Sequence, residues 1–164
     1  FIGMITLQSC TTEDDQIDVD NDTIAEVFEY NTNVNFTYGN GYSVELTFPY
    51  TIYTSDMVLV YRLTGTDAGT DVWKLLPETY YNNDGTLKFG YRNDFTNINA
   101  VVTLFGYDLP NLSNAYKLDQ VFRVVVIPAY FGNKTDAGKL DFEDYNSVKE
   151  YYKLDTAKVT KIKM

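Results

Sequence analysis

Val121-Phe122-Arg123-Val124-Val125-Val126-Ile127 is the most apolar stretch of the chain. Its β-branched residues favour a strand over a helix, because two heavy atoms on Cβ stiffen χ1 and fit a pleated surface. Alternation puts Phe122, Val124 and Val126 on one side and Val121, Val125 and Ile127 on the other. Both sides are apolar, so this strand is expected at the centre of the core.

Other strands are read outward from it. Tyr42, Val44, Leu46 and Phe48 alternate with Ser43, Glu45 and Thr47, a half-buried strand ended by Pro49. Met57 to Leu63 is a more continuous apolar run and reads as a central strand that ends at Thr64-Gly65. Val72 to Leu76 is short and bounded by Pro77. Asn82-Asn83-Asp84-Gly85 signals a tight hairpin, since Asp-Gly supplies positive φ angles, and Thr86 to Tyr91 is the return strand. Ala100 to Phe105 is a further strand, and Val34 to Tyr38 and Lys158 to Lys163 read as strands nearer the edges. Lysines suit the last of these, because they guard an exposed edge against pairing with other chains.

One helix is expected, over Asp141 to Leu154, where Phe142, Tyr145, Val148, Tyr151 and Tyr152 fall close to a helical stripe. Many short strands, frequent turn signals and little helix predict an all-β fold. The expectation is an immunoglobulin-like antiparallel β-sandwich of about 7–9 strands, with one short helix near the C-terminus. An eight-stranded barrel is the alternative. A Cys…Trp…Cys pattern is missing, so membership of the true immunoglobulins is not supported.

The chain has 164 residues, 23 acids, 13 bases, no histidine and one cysteine. That length suits one globular domain with a tail. The absence of histidine excludes His-based triads and imidazole ligands, and a single cysteine excludes an internal disulfide and a cysteine metal cluster. A net charge of −10 argues against nucleic acid, which is bound by Lys and Arg neutralising phosphates. Residues 11–29 hold eight acids and no base, whereas 30–164 hold 15 acids and 13 bases. The negative charge therefore belongs to an N-terminal segment, and a block of like charge is usually a solvated tail.

Residues 1–9 are uncharged and mostly apolar, and they end at Ser9-Cys10. Leu7-Gln8-Ser9-Cys10 resembles a bacterial lipobox, with an aliphatic residue three before the cysteine and a small one directly before it. The resemblance implies cleavage before Cys10 and acylation of its thiol. Two or more acyl chains anchor a protein stably. A buried free cysteine at the start of a strand is the other reading. Thr11-Thr12-Glu13-Asp14-Asp15 resembles the acidic export signal of Bacteroidota-type surface lipoproteins, which implies that Glu13, Asp14 and Asp15 address the protein to the outer face of the outer membrane. A plain acidic spacer on a periplasm-facing protein is the alternative. Asp71 to Pro77 together with Phe122 to Ala129 is also similar to the C-terminal domains of small Bacteroidota lipoproteins, a likeness that implies fold and location and carries no activity. The expected organisation is thus 1–9 as the end of a signal peptide, 10–29 as a lipidated acidic tether and 30–164 as the sandwich.

Asp18, Asp20, Asp22 and Glu29 match ligand positions of a calcium loop, but Thr23 stands where the sharp-turn glycine belongs, so no metal is expected. Asp141, Glu143 and Asp144 cluster as a hydrolytic carboxylate pair would, although clustering on a helix surface is usually solvation. Aromatic residues reach 16%, and tyrosine supplies fifteen of them. Aromatic faces stack on sugar rings and anchor protein interfaces. Trp73, Tyr80, Tyr81, Tyr107, Tyr116 and Tyr130 lie near expected turns and are the candidates for an exposed binding platform. Asp22-Thr23-Ile24 and Asp155-Thr156-Ala157 resemble a Bacteroidota-type O-glycosylation sequon, which implies modification of Thr23 and Thr156. The expected role is a lipid-anchored, surface-facing protein that binds or scaffolds in the cell envelope without catalysis or cofactor. A carbohydrate-active enzyme or glycan-binding module using carboxylates and aromatics is the alternative.

Overall fold

A computed structural model describes residues 24–129, 140–154 and 158–164. Nine strands are present among them: β1 (Glu26–Tyr30), β2 (Ser43–Thr47), β3 (Met57–Asp67), β4 (Thr70–Leu75), β5 (Glu78–Tyr81), β6 (Leu87–Phe95), β7 (Asn99–Gly106), β8 (Phe122–Ile127) and β9 (Thr160–Ile162). They form two open sheets, one ordered β4-β3-β8-β1-β9 and the other β2-β7-β6-β5. The molecule is a β-sandwich, and the barrel alternative is set aside because both sheets keep free edges. Every pairing is antiparallel except β1 with β9, which is parallel.

β8 lies in the middle of the five-stranded sheet, between β3 and β1. Phe122, Val124 and Val126 pack between the sheets with Leu46, Phe89, Tyr91 and Leu104. Val125 and Ile127 face the other way, into a second cluster with Tyr61 and Trp73. The helix α1 (Tyr145–Tyr151) covers that outer face with Tyr145 and Val148, joined by Tyr152 and Leu154. One sheet is therefore buried on both faces, and this is why β8 reads as a continuous apolar run. Asp144 caps α1 by accepting a hydrogen bond from the Asn146 N–H at 3.0 Å.

Three expectations are corrected. Val34 to Tyr38 is not a strand; it runs as irregular chain into a 3-10 turn over Tyr38–Asn40. Val34 and Phe36 are buried at the expected spacing, but their backbone makes only isolated bonds, Phe36 N–H to Lys117 O and Gln120 N–H to Val34 O. Alternation here records burial of one face rather than a ladder. In the β5–β6 turn only Gly85, at φ 83°, takes a positive φ, and the Asp84 side chain instead accepts from Thr86 N–H at 2.9 Å. Finally, β1 opens at Glu26, within the stretch assigned to the tether, so the folded part reaches N-terminal of residue 30.

The sandwich has two distinct ends. Glu26, Val58 and Val126 are side by side in register, so β1 and β3 begin where β8 finishes. The β2–β3 connection folds at this end and is tied to the β6–β7 hairpin by Phe48 N–H to Ile98 O and Ile52 N–H to Asn97 O, both 2.8 Å. β1, the first described strand, begins here. The opposite end carries the β1–β2 connection, the β3–β4 and β5–β6 turns and the β7–β8 connection.

Candidate functional site

The site grows from the parity of β3. Val58, Val60 and Arg62 share one side of that strand, and Val58 and Val60 belong to the inter-sheet core. Arg62 is thereby carried inward, with only 4% of its surface exposed. Glu78 on β5 has the same fate, at 1%. An isolated buried charge is very costly, so each needs the other. Arg62 Nε and Nη2 donate to Glu78 Oε2 and Oε1, both at 2.9 Å, a bidentate fork. Nη1 donates to Gln120 Oε1 at 3.0 Å, and Nη2 also donates to the Tyr80 hydroxyl oxygen at 2.7 Å. The Tyr80 hydroxyl in turn donates to Glu78 Oε1. Gln120 Nε2 donates to the carbonyls of Ala115 and Leu118 at 2.9 and 2.7 Å, which fixes the β7–β8 connection onto the network. The Tyr91 ring lies 4.6 Å from the guanidinium carbon.

Over this network opens a pocket of about 460 Å³, lined by Arg62, Thr64, Tyr80, Tyr116, Asp119 and Gln120 among others. Tyr80 stacks on Phe89 at 4.4 Å between centroids and meets Tyr116 at 5.6 Å. Burial alone would push the Glu78 carboxyl up, but hydrogen bonds from Arg62 and Tyr80 and the Arg62 charge outweigh it and hold it below its ordinary value. Burial, then the hydrogen bond to Glu78, pushes the Tyr80 hydroxyl up to about 12. At neutral pH a phenol that keeps its proton lines the pocket, and beneath it lies a buried, ionised carboxylate engaged by a cation. Neither is poised near pH 7, as general acid–base work requires.

The candidate aromatics do not form one platform. Tyr80 and Tyr116 are brought together in the pocket wall. Tyr107 is 98% exposed and borders a smaller hollow with Leu87, Lys88 and Asn111. Tyr81 is exposed on β5, next to Leu87 in register. Trp73 is only 9% exposed, a correction to its place in the platform. Its ring is covered by the Arg123 guanidinium at 4.0 Å and packs on Tyr145 at 5.9 Å. Tyr130, Cys10, Glu13, Asp14, Asp15, Asp18, Asp20, Asp22, Thr23 and Thr156 lie outside the described residues. Glu29 is buried and pairs with Arg123 at 2.9 Å, so its carboxylate serves the outer face of the sheet. Asp141 and Asp144 bond their own neighbours, Glu143 N–H and the Ser147 hydroxyl, as a helix start does. Among the described residues no group of three or more Asp, Glu or Cys could hold a metal ion, and no helix is long and apolar enough to cross a membrane.

Arg62, Glu78 and Gln120 are not among the sequence-derived candidates. A signal was present: Arg62 keeps the parity of Val58 and Val60, and Glu78 the parity of Tyr80. A charge on the apolar side of a strand implies a buried partner.

No protein-family model, curated protein or solved structure matches this chain.

Proposed function

We propose that this chain is a lipid-anchored β-sandwich, exposed at the cell surface, with a non-catalytic binding or scaffolding role in the envelope. The observation that carries the reading is the polarity of the molecule. The N-terminal segment, with the Cys10 motif and its acids, enters at one end. The pocket over Arg62 and Glu78 and the exposed Tyr38, Tyr81 and Tyr107 belong to the other. An anchor at Cys10 would turn that second end away from the membrane and towards partners. The internal pairing of Glu78 and Glu29 supports binding over carboxylate catalysis. Large exposed tyrosines beside a polar hollow suit a glycan or an envelope protein.

Two arms test this. Cys10→Ser is expected to abolish acyl labelling and, once membranes are washed in dilute buffer, to move the protein to the soluble fraction; acyl label that persists in Cys10→Ser contradicts the anchor. The purified Cys10→Ser protein, used as bait against envelope glycans and proteins, is expected to capture a ligand that Tyr107→Ala loses at least tenfold. Turnover of a glycan substrate by the same preparation would contradict the non-catalytic role.

A further inference from the structure

The end by which the N-terminal segment enters carries large apolar side chains in the open. Phe95 and Ile98, on the β6–β7 hairpin, are 49% and 50% exposed, and Tyr50, in the connection bonded to that hairpin, is exposed as well. Their position is fixed rather than incidental. The hairpin is bonded to the β2–β3 connection at Ile98 O and Asn97 O, and Tyr50 packs edge-on against Phe28 of β1 at 5.8 Å. Rings and an isoleucine held outward on a bonded frame cannot fold back into the core. Neither the 45–58 stretch nor the 93–100 stretch contains a Lys or Arg, and Glu45, Asp56 and Asp94 are their charged residues.

We propose that this end rests on the lipid bilayer, with Phe95, Ile98 and Tyr50 entering the headgroup boundary. The inference rests on the lipid-anchor reading, and the length of chain between anchor and sandwich chooses the occupant. Residues 10–23 can span at most about 50 Å when fully extended. A tether of that reach holds the domain near the membrane at an effective concentration on the order of millimolar, so even weak contact is populated. The end that faces the bilayer is the one the tether enters. Tyrosine and other amphipathic or apolar side chains are the ones that settle at a membrane interface. Although the exposed Lys158 precedes β9 at the same end, the 45–58 and 93–100 stretches carry no Lys or Arg, so the contact they make is apolar rather than electrostatic. It favours neutral headgroups and is insensitive to salt, and the acidic segment opposes anionic lipid.

The test is flotation of the full-length Cys10→Ser protein with phosphatidylcholine vesicles at several millimolar lipid. The expected result is a floating fraction that rises with lipid and is equal at 50 and 500 mM salt. It should fall at least tenfold when Phe95→Ser and Ile98→Ser are added, and stay unchanged with Tyr38→Ser at the opposite end. All three proteins are checked for the same cooperative unfolding, since the substituted positions are exposed. Absence of flotation, or equal flotation of the double variant, overturns the proposal. So does a dimer, without flotation, that the double variant abolishes, because the occupant is then a second copy. The anchor is scored separately, by acyl labelling of the wild-type chain in cells. Label without flotation of the Cys10→Ser protein overturns the bilayer contact alone, and flotation without label overturns the anchor alone.

Discussion

Arg62 and Glu78 are the residues on which burial and charge conflict most sharply. Taking both from water costs several kcal/mol per ion, and removing one partner of a buried pair costs about 3–5 kcal/mol because the other charge is stranded. Here every Glu78 oxygen is used by Arg62, and Tyr80 and Gln120 complete the shell. Glu78→Gln is therefore expected to lower stability by roughly 3 kcal/mol at pH 7. The pH dependence follows from the sign of the shift. Glu78 holds its carboxyl below the ordinary value of 4.5 in the folded state, so its contribution is complete above that value and is lost as pH falls through it towards the lower folded value. Urea midpoints at pH 7 and pH 3.5 should show the gap between wild type and Glu78→Gln narrowing at the lower pH. A gap that stays constant would mean that Glu78 contributes no ionised-state stability. The network could be placed on the inner side of β3 and β5 from parity alone. Its closure by Gln120 could not, because that contact joins residues 58 positions apart across an irregular connection.

At the scale of the element, β8 shows what a sequence pattern can and cannot say. Its two apolar sides were legible as the mark of a central strand. What covers the second side was legible only as a helical stripe at 142–152, with nothing in the pattern to dock it on this sheet. The docking rests on Tyr145 against Tyr61 at 5.0 Å and on Arg123, which sits over Trp73 while pairing with Glu29. The Val34 to Tyr38 expectation failed for a related reason: a buried alternating segment was present, but no neighbouring strand accepted its backbone. The strand assignment has a paired test. Val124 is fully buried between β3 and β1, and Val124→Asp should prevent stable folding, since an unpaired buried charge consumes most of the roughly 5–15 kcal/mol that holds such a domain. Glu45 is exposed on β2 and, among the described residues, accepts from its neighbours Asn99 and Thr47. Glu45→Lys should cost about half a kcal/mol. Thermal unfolding of the two variants decides it, and a Val124→Asp protein that melts within a few degrees of the parent contradicts the central placement.

For the whole molecule, the organising feature is that the two ends differ. At one end β1 begins and Phe95, Ile98 and Tyr50 are exposed on stretches without Lys or Arg. The other bears the pocket, its buried ion pair and tyrosines that face outward. Composition announced the acidic segment, and the tyrosine count announced aromatic surface. Only the fold sorted the five described candidates, by placing Trp73 under Arg123, Tyr80 and Tyr116 in one wall and Tyr81 and Tyr107 in the open. Cys10 is the single cysteine of the chain, and acylation would block its thiol, so one added cysteine can report which end meets the outside. The most direct measurement is labelling of a Tyr107→Cys protein on intact cells with a membrane-impermeant maleimide, followed by recovery of the membrane fraction. Strong labelling of membrane-bound protein, with the label moving to the soluble fraction when Cys10→Ser is added, is the expected result. Labelling that appears only after the cells are broken, or label that resists washing of the membranes in dilute buffer despite Cys10→Ser, would contradict an anchored domain with its binding end turned outward.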